Sequence, residues 1–287
     1  MISIFAPFDR AAGILASALI CVFVGASGMS AQAQVRLKAH YKISMTAVSV
    51  GQIVWFVDID SKRYTTSANG KASGVLSVLV NGEGSVVTQG NVVDGSPAPS
   101  NFTSNITDDE GKSELRMTFE SGVVTELIAQ EPPPTRDRVP ITDADRRGVA
   151  DPLTAMLIPV KAGDDALAAE NCNRLLAIFD GRRRYNLALS FKRIDKVKLD
   201  RGFSGFVLVC GVVLQPIAGY RADSMLVKYV AGRRAMELWF APIAGTSIIA
   251  PIRVLMPTLI GTLEIQADQF EAVGSPSSPA LPSVLPR

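Results

Sequence analysis

The chain has 287 residues, with 29 lysines and arginines against 27 aspartates and glutamates, and 47% of its residues are apolar. This charge balance argues against a dedicated nucleic-acid binder, which would carry a basic excess or stripe. The apolar content excludes a wholly disordered chain. The single histidine, His40, excludes every site that needs two. The length allows one large domain or two small ones.

Residues 1–33 are typical of a secretory signal peptide. Arg10 precedes an uncharged, largely apolar run over residues 11–29, and Ala31 and Ala33 are the small residues of an A-x-A cleavage site. We expect cleavage after Ala33 and secretion into the periplasm. The alternative is an uncleaved membrane anchor, because about 18 apolar residues suffice to span a bilayer.

The cysteines fit an oxidising compartment. Ile20 stands before Cys21, where lipidation needs a small residue, so we expect Cys21 to leave with the signal peptide. Cys172 and Cys210 remain, and in the periplasm one disulfide between them is favoured over two separate buried thiols. Two cysteines and one histidine cannot supply the four ligands of a zinc site. The sequence predicts neither a metal nor a cofactor.

The first half of the mature chain has the alternation of β-strands. The apolar phase of the first strand contains Leu37, Ala39, Tyr41, Ile43 and Met45. Further strands are predicted at residues 51–58, 62–69, 84–88, 101–107, 113–120 and 123–129. Glycine-containing dipeptides typical of hairpin turns lie between them: Asn81-Gly82, Asp94-Gly95, Glu110-Gly111 and Ser121-Gly122.

One short helix is predicted in the middle of the chain. Asp151 is a favoured N-cap residue and Pro152 a favoured first helical residue. Pro159 ends the helix after about two turns.

The second half is again predicted to be β-structure. Asp180-Gly181 is a hairpin signal between residues 175–179 and 183–194. The continuous apolar run 206–214 indicates a central strand buried on both faces. Strands are also predicted at residues 224–230, 234–241, 248–255 and 258–270. The Pro/Ser-rich residues 273–287 are predicted to be a disordered tail.

These elements predict an all-β protein with a single domain over residues 34–272. About a dozen short strands favour one large, curved antiparallel sheet that forms an open or spiral barrel, with the short helix at its centre. The alternative is a domain boundary at residues 132–151. We prefer one continuous sheet, because neither half has a second helical layer to cover its face.

Candidate site residues fall into two groups. Arg182 and Arg184, expected on one face of a hairpin, are candidates for contact with anionic lipid headgroups, although an ordinary solvated hairpin is favoured. A second group is expected to form the core and line any cavity: Trp55, Phe56, Met156, Phe206, Leu208, Trp239 and Phe240. We predict no catalytic residue, because His40 has no recognisable nucleophile motif beside it.

Four segments together resemble exported proteins of the bacterial domain-of-unknown-function family 3108. They are residues 151–155, 178–185, 237–242, and Cys210 with residues 215–221. The resemblance spans about residues 36–270 and implies a periplasmic protein with a strongly curved antiparallel sheet. The family brings no activity with it. The chain is also distantly similar to envelope-integrity proteins and lipoprotein carriers built on open barrels.

The function expected from these features is non-enzymatic: maintenance of the cell envelope by binding a lipid, a lipoprotein or a protein partner. Peripheral contact with a membrane is compatible with this role. One alternative is a hydrolase or other enzyme acting on envelope polymer through carboxylates such as Asp143 or Asp180. Another is an outer-membrane barrel, but aromatic residues are only 7% of the chain, too few for two girdles.

Overall fold

The computed structural model describes residues 34–72, 82–109, 111–130, 137–161, 163–231 and 236–275. They lie within one unit, residues 32–287, and form fifteen strands of one sheet. The strands are β1 (Gln34–Met45), β2 (Val48–Ile59), β3 (Arg63–Ala72), β4 (Gly82–Val93), β5 (Ser96–Asp108), β6 (Gly111–Glu120), β7 (Val123–Ala129), β8 (Ile158–Pro159), β9 (Leu175–Phe179), β10 (Arg184–Lys198), β11 (Arg201–Gly202), β12 (Ser204–Ala218), β13 (Met236–Pro242), β14 (Ile248–Thr258) and β15 (Gly261–Ser275). Among them lie two helices, α1 (Pro152–Ala155) and α2 (Met225–Val230), and two 3-10 turns, Asp143–Arg146 and Ala169–Cys172.

The strand order follows the chain through its first half. β1 to β7 pair consecutively, β1 also pairs with β15, and the order continues through β14, β13, β12, β10 and β9. Every pairing between the described strands is antiparallel except that of β11 with β15. The predicted all-β class and single antiparallel sheet are confirmed.

Period-two alternation places one face of the sheet on a core, here named the inner face. One row of paired residues crosses β1 to β6 on this face, and each member is buried: Leu37, Val57, Thr66, Thr88, Phe102 and Met117. Side chains two residues apart on a strand share a face. The apolar phase predicted for the first strand therefore faces the core, as Leu37, Ala39 and Tyr41 are buried.

The two ends of the strand order meet through the segment between β7 and α1. The Val149 N–H donates to the Gly122 carbonyl at the start of β7 (3.1 Å). The Ala150 N–H donates to the Ala177 carbonyl of β9 (3.0 Å), and the Phe179 N–H returns a bond to the Ala150 carbonyl (3.0 Å). These bridges join β7 to β9 without a continuous ladder, so the sheet is strongly curved but not closed.

Strands β12 and β13 are buried on both faces. Val207, Val209 and Trp239 pack in the core that contains the inner-face residues of β1 and β2. Leu208 and Phe240, on the opposite faces of the same strands, pack in a second core with α2 and with the segment before β9. We name residues 158–161 and 163–172 of that segment the cover. The prediction of a doubly buried central strand at residues 206–214 therefore holds from Val207 to Val212.

The two helices differ from the sequence predictions. Helix α1 makes one turn instead of two, because Ile158 and Pro159 pair with β14. Residues 225–230, predicted as a strand, form α2, and the Ser224 hydroxyl caps it by accepting from the Val227 N–H (3.4 Å). No helix among the described residues is long and apolar enough to cross a membrane.

Two of the predicted glycine-containing turns, Asp94-Gly95 and Ser121-Gly122, connect strands as expected, whereas Asn81 and Glu110 of two others lie outside the described residues. Asp94 and Gly95 both have positive φ angles (50° and 75°), as do Ser121 and Gly122 (51° and 75°). This is the geometry of a type I′ hairpin.

The signal-peptide prediction over residues 1–33 lies outside the described residues, as does the tail beyond Ser275. Strand β15 runs three residues past the predicted domain end at residue 272.

Candidate functional site

A buried carboxylate fixes α1 against the inner face. Asp151 is fully buried, and its Oδ1 accepts from the Thr88 hydroxyl (2.7 Å) and the backbone N–H groups of Leu153 (3.0 Å) and Thr154 (3.1 Å). Its Oδ2 accepts from the Thr154 hydroxyl (2.5 Å). The hydroxyls of Thr154 and Tyr64 share a further bond (2.6 Å). Burial raises the pKa of Asp151, against hydrogen bonds that favour the ionised form. This cluster ties β3, β4 and α1 together, and its role is structural.

The residues predicted to line a cavity separate into different environments. Trp55 and Trp239 belong to one core, Leu208 and Phe240 belong to another, and Met156 contacts both. The Trp55 indole donates to the Thr66 hydroxyl (2.6 Å), and Phe56 is half-buried on the other face of β2. Five members of the set thus lie in or against packed clusters of the described structure, and Phe56 lies on the opposite face of the sheet.

Phe206 is a correction to that set, because it is 56% exposed. It stands opposite Lys196 of β10, whose Nζ lies 5.8 Å from the ring centroid. The cover that buries Leu208 and Cys210 does not extend to Phe206. Burial on this face thus depends on where residues 158–172 lie, which strand periodicity does not reveal.

Phe206 forms an exposed apolar surface with Phe191 and Ile194 of β10. Phe191 is 42% exposed and Ile194 is 48% exposed. Ile194 pairs with Leu208, and Phe191 pairs with Cys210, so all three exposed side chains continue the apolar face buried alongside them. We name Phe191, Ile194 and Phe206 the β10 ledge.

The ledge lies beside an open strand edge. β10 pairs with β12 as far as Lys198, but β9 pairs with β10 only over its first part, from Arg184 to Ala188. The Leu189 N–H still donates to the Arg174 carbonyl (2.8 Å). Among the described residues, no strand pairs with this edge of β10 beyond Leu189. An open edge offers backbone donors and acceptors to another chain.

The opposite face of β10 is held in place by Glu237 of β13. Its carboxylate accepts from Lys192 Nζ (2.5 Å), Arg193 Nη1 (3.2 Å) and the Trp239 indole (2.8 Å). Arg193 also stacks 4.9 Å from the Trp239 ring centroid, as does Arg253 of β14. Burial alone would raise the pKa of Glu237, but the hydrogen bonds lower it to about 2. This network anchors the strand that carries the ledge.

The disulfide predicted between Cys172 and Cys210 is present, with 5.5 Å between the Cα atoms. Cys172 ends the 3-10 turn before β9. The bond therefore fixes the cover to β12, directly beside the ledge.

Arg182 and Arg184 have structural partners, contrary to the expected solvated pair on one face. Arg182 Nη2 donates to the Ser113 hydroxyl (2.6 Å), and Arg184 Nη1 donates to the Tyr185 carbonyl and Asn186 Oδ1 (2.6 Å each). Both are half-buried, whereas Arg183 is exposed. Arg182 is half-buried because the β9–β10 turn packs on β6, where a Cβ on Gly181 would collide with Leu115.

The candidate catalytic carboxylates act locally. Asp180 accepts from the backbone N–H groups of Arg182 (2.9 Å) and Arg183 (2.7 Å) and so shapes its turn, and Asp143 begins an exposed 3-10 turn. His40 Nδ1 lies 2.6 Å from Asp268 Oδ1. No three metal-ligating side chains come together in the described part of the chain.

A polar recess of about 390 Å³ lies on the outer face of β2 to β5. Its lining includes Gln52, Lys71, Glu83 and Asn105, with Val54 as an apolar contribution. It is open to solvent and offers hydrogen bonds, but Lys71, Glu83 and Asn105 are exposed, so it has no buried charged group to orient a ligand.

The comparisons with known proteins identify a family without an assigned activity. The family model described as "Protein of unknown function (DUF3108)" matches residues 38–268. No curated protein matches the chain. One similar solved structure is a β-barrel-like protein of domain-of-unknown-function family DUF1849 from Brucella abortus. It is 9% identical, with 85% of this chain and 98% of that chain covered and a TM-score of 0.43.

Proposed function

Because the chain belongs to the DUF3108 family of proteins of unknown function, we propose a role from its own surfaces. It is a non-enzymatic protein of the bacterial cell envelope that binds a protein partner at the β10 ledge. The observation that carries this proposal is an exposed apolar surface, Phe191, Ile194 and Phe206, beside a strand edge that lacks a partner among the described residues.

A protein partner is favoured over an enclosed lipid. Helix α1 and the hydrogen-bonded cluster around Asp151 lie against the inner face, where an enclosed lipid would also have to bind. An acyl chain would have to displace these hydrogen-bonded groups and leave them unsatisfied, which costs about 1–3 kcal/mol for each group.

The chemistry of the ledge favours an extended peptide segment. A strand added to the edge of β10 would form backbone hydrogen bonds, and its alternate side chains would cover the apolar ledge. Lys196 and Lys198 are exposed on the ledge's face of β10. Their charge favours a segment that carries acidic residues.

The envelope location rests on the predicted signal peptide and on the disulfide. Structural disulfides persist in oxidising compartments such as the periplasm and are rare in the cytosol. The Cys172–Cys210 bond supports export of the chain.

Site-specific photo-crosslinking in the host bacterium tests the partner site. A photoreactive phenylalanine derivative replaces Phe191 or Phe206 in turn, and Ile128 of β7, which is also exposed, serves as the matched control. We expect a discrete protein adduct from both ledge positions, identified by mass spectrometry, and none from Ile128. The same adducts from all three positions, or none from the ledge, would overturn the proposal.

A further inference from the structure

Two hairpin turns, β1–β2 and β14–β15, lie side by side at one end of the sheet. The Thr46 N–H donates to the Thr262 carbonyl (3.0 Å), and the Thr258 hydroxyl lies 3.9 Å from Met45 Sδ. A Cβ on Gly261 would collide with the Thr46 side chain, so the turns approach as closely as a glycine permits. The two turns therefore form one rigid surface.

This surface is apolar and protrudes. Val48 is 47% exposed, Leu259 is 52% exposed and Ile260 is 80% exposed. The sequence contains no charged residue over residues 43–57 or over residues 254–263. We name Val48, Leu259 and Ile260 the apolar tip.

Turns at the other end of the sheet differ in charge. The β2–β3, β4–β5 and β6–β7 turns carry Asp60, Asp94 and Glu120. The β5–β6 turn lies at the same end of the sheet as the tip, but it is acidic, because it carries Asp108 and Asp109. The tip thus brings three exposed apolar residues together on two neighbouring turns.

We propose that the apolar tip inserts into the interfacial region of a lipid bilayer. Side chains at the crests of turns protrude from the surface, a shape suited to a fluid hydrocarbon boundary. Behind the tip, the exposed Lys42 and Lys71 lie in one cross-strand row on either side of Gln52. Lys42 Nζ lies 3.1 Å from Asp268 Oδ2, and Lys71 stands opposite Glu83 of β4. Long basic side chains in this position reach lipid phosphates while the tip is buried.

The tip and the ledge are separate surfaces with separate tests. The exported chain is sedimented with vesicles of phosphatidylethanolamine and phosphatidylglycerol. We expect wild-type chain to bind, and the double variant Leu259→Ser with Ile260→Ser to partition about tenfold less, because two apolar side chains lose their burial in the bilayer. Part of the wild-type binding should persist at high salt, since insertion is not screened.

Two control variants make the result specific. Val93→Ser with Val273→Ser removes two exposed apolar side chains elsewhere, and Phe206→Ser alters the ledge. Both should bind vesicles like wild type, with circular dichroism confirming that each variant folds. Equal loss in the controls overturns the proposal. So does absence of wild-type binding, as expected if a second copy of the chain covers the tip.

Discussion

Glu237 joins β13 to the strand that carries the ledge. Three donors, from Lys192, Arg193 and Trp239, surround a carboxylate that is almost fully buried. A buried charge is tolerated only when such partners replace its water. The ionised Glu237 therefore adds a side-chain anchor to the ladder that pairs β10 with β12.

Replacing Glu237 by Gln is expected to reduce the free energy of unfolding by about 2 kcal/mol near neutral pH. A pKa lowered from 4.5 to about 2 corresponds to roughly 3 kcal/mol, and screening through the partly exposed Lys192 and Arg193 reduces this. A depressed carboxyl pKa stabilises the fold above the unfolded-state pKa, and this contribution is lost as pH falls through 4.5 toward about 2.

Urea unfolding of wild type and Glu237→Gln across this pH range measures the effect. The two curves should converge in acid. Glu264→Gln, at the more exposed ion pair with Arg253, serves as the control and should change stability less. A difference for Glu237→Gln that stays constant with pH would contradict the assignment.

Residue-scale predictions from sequence succeeded where strand periodicity decides burial. Trp55 and Trp239 lie in the core as expected. The predictions for Phe206 and Arg182 were wrong because distant segments decide their environments. The cover ends before it reaches Phe206, and Arg182 donates to Ser113 of β6. The ledge gave no local signal, because its exposure also depends on where the cover ends.

At the scale of elements, α1 is a single turn held by its cap. Asp151 satisfies the first N–H groups of the helix and the hydroxyls of Thr88 and Thr154 at once. We expect Asp151→Ala to destabilise the protein by about 3 kcal/mol, through loss of the cap and unsatisfied buried hydroxyls. Thermal denaturation measures this. Asp151→Asn keeps an acceptor, so a loss as large as that of the alanine variant would argue against the capping role.

The disulfide stabilises the cover over β12. The double variant Cys172→Ser with Cys210→Ser should lose about 2–5 kcal/mol of unfolding free energy, because the bond restricts the unfolded chain. Wild type unfolded in the presence of a reductant should match the double variant. If reductant leaves the unfolding midpoint of wild type unchanged, the bond does not contribute to stability.

Elements were predictable where their signals are local. The type I′ turns at Asp94-Gly95 and Ser121-Gly122 follow from glycine at a positive φ angle. Helix α2 was missed because residues 225–230 form a short segment whose valines and tyrosine favour a strand. Its cap, Ser224, was the available signal.

At the scale of the whole molecule, the sequence predicts the class and the curved sheet. Successive hairpins bring β1 to β7 together without long-range information. The meeting of β7 with β9 through residues 147–150, and the pairing of β1 with β15, depend on contacts between distant parts of the chain. The open edge of β10 is a product of this arrangement, and strand patterns alone do not predict which edge stays open.

The central proposal is that the chain binds a protein partner at the β10 ledge, on the outside of the sheet, and no lipid on its inner face. Native mass spectrometry of the purified chain, isolated without detergent, tests it most directly. We predict a chain free of bound lipid, because α1 and the Asp151 cluster occupy the interior. A one-to-one lipid adduct that persists in the Leu259→Ser, Ile260→Ser variant, where the apolar tip is removed, would contradict the claim.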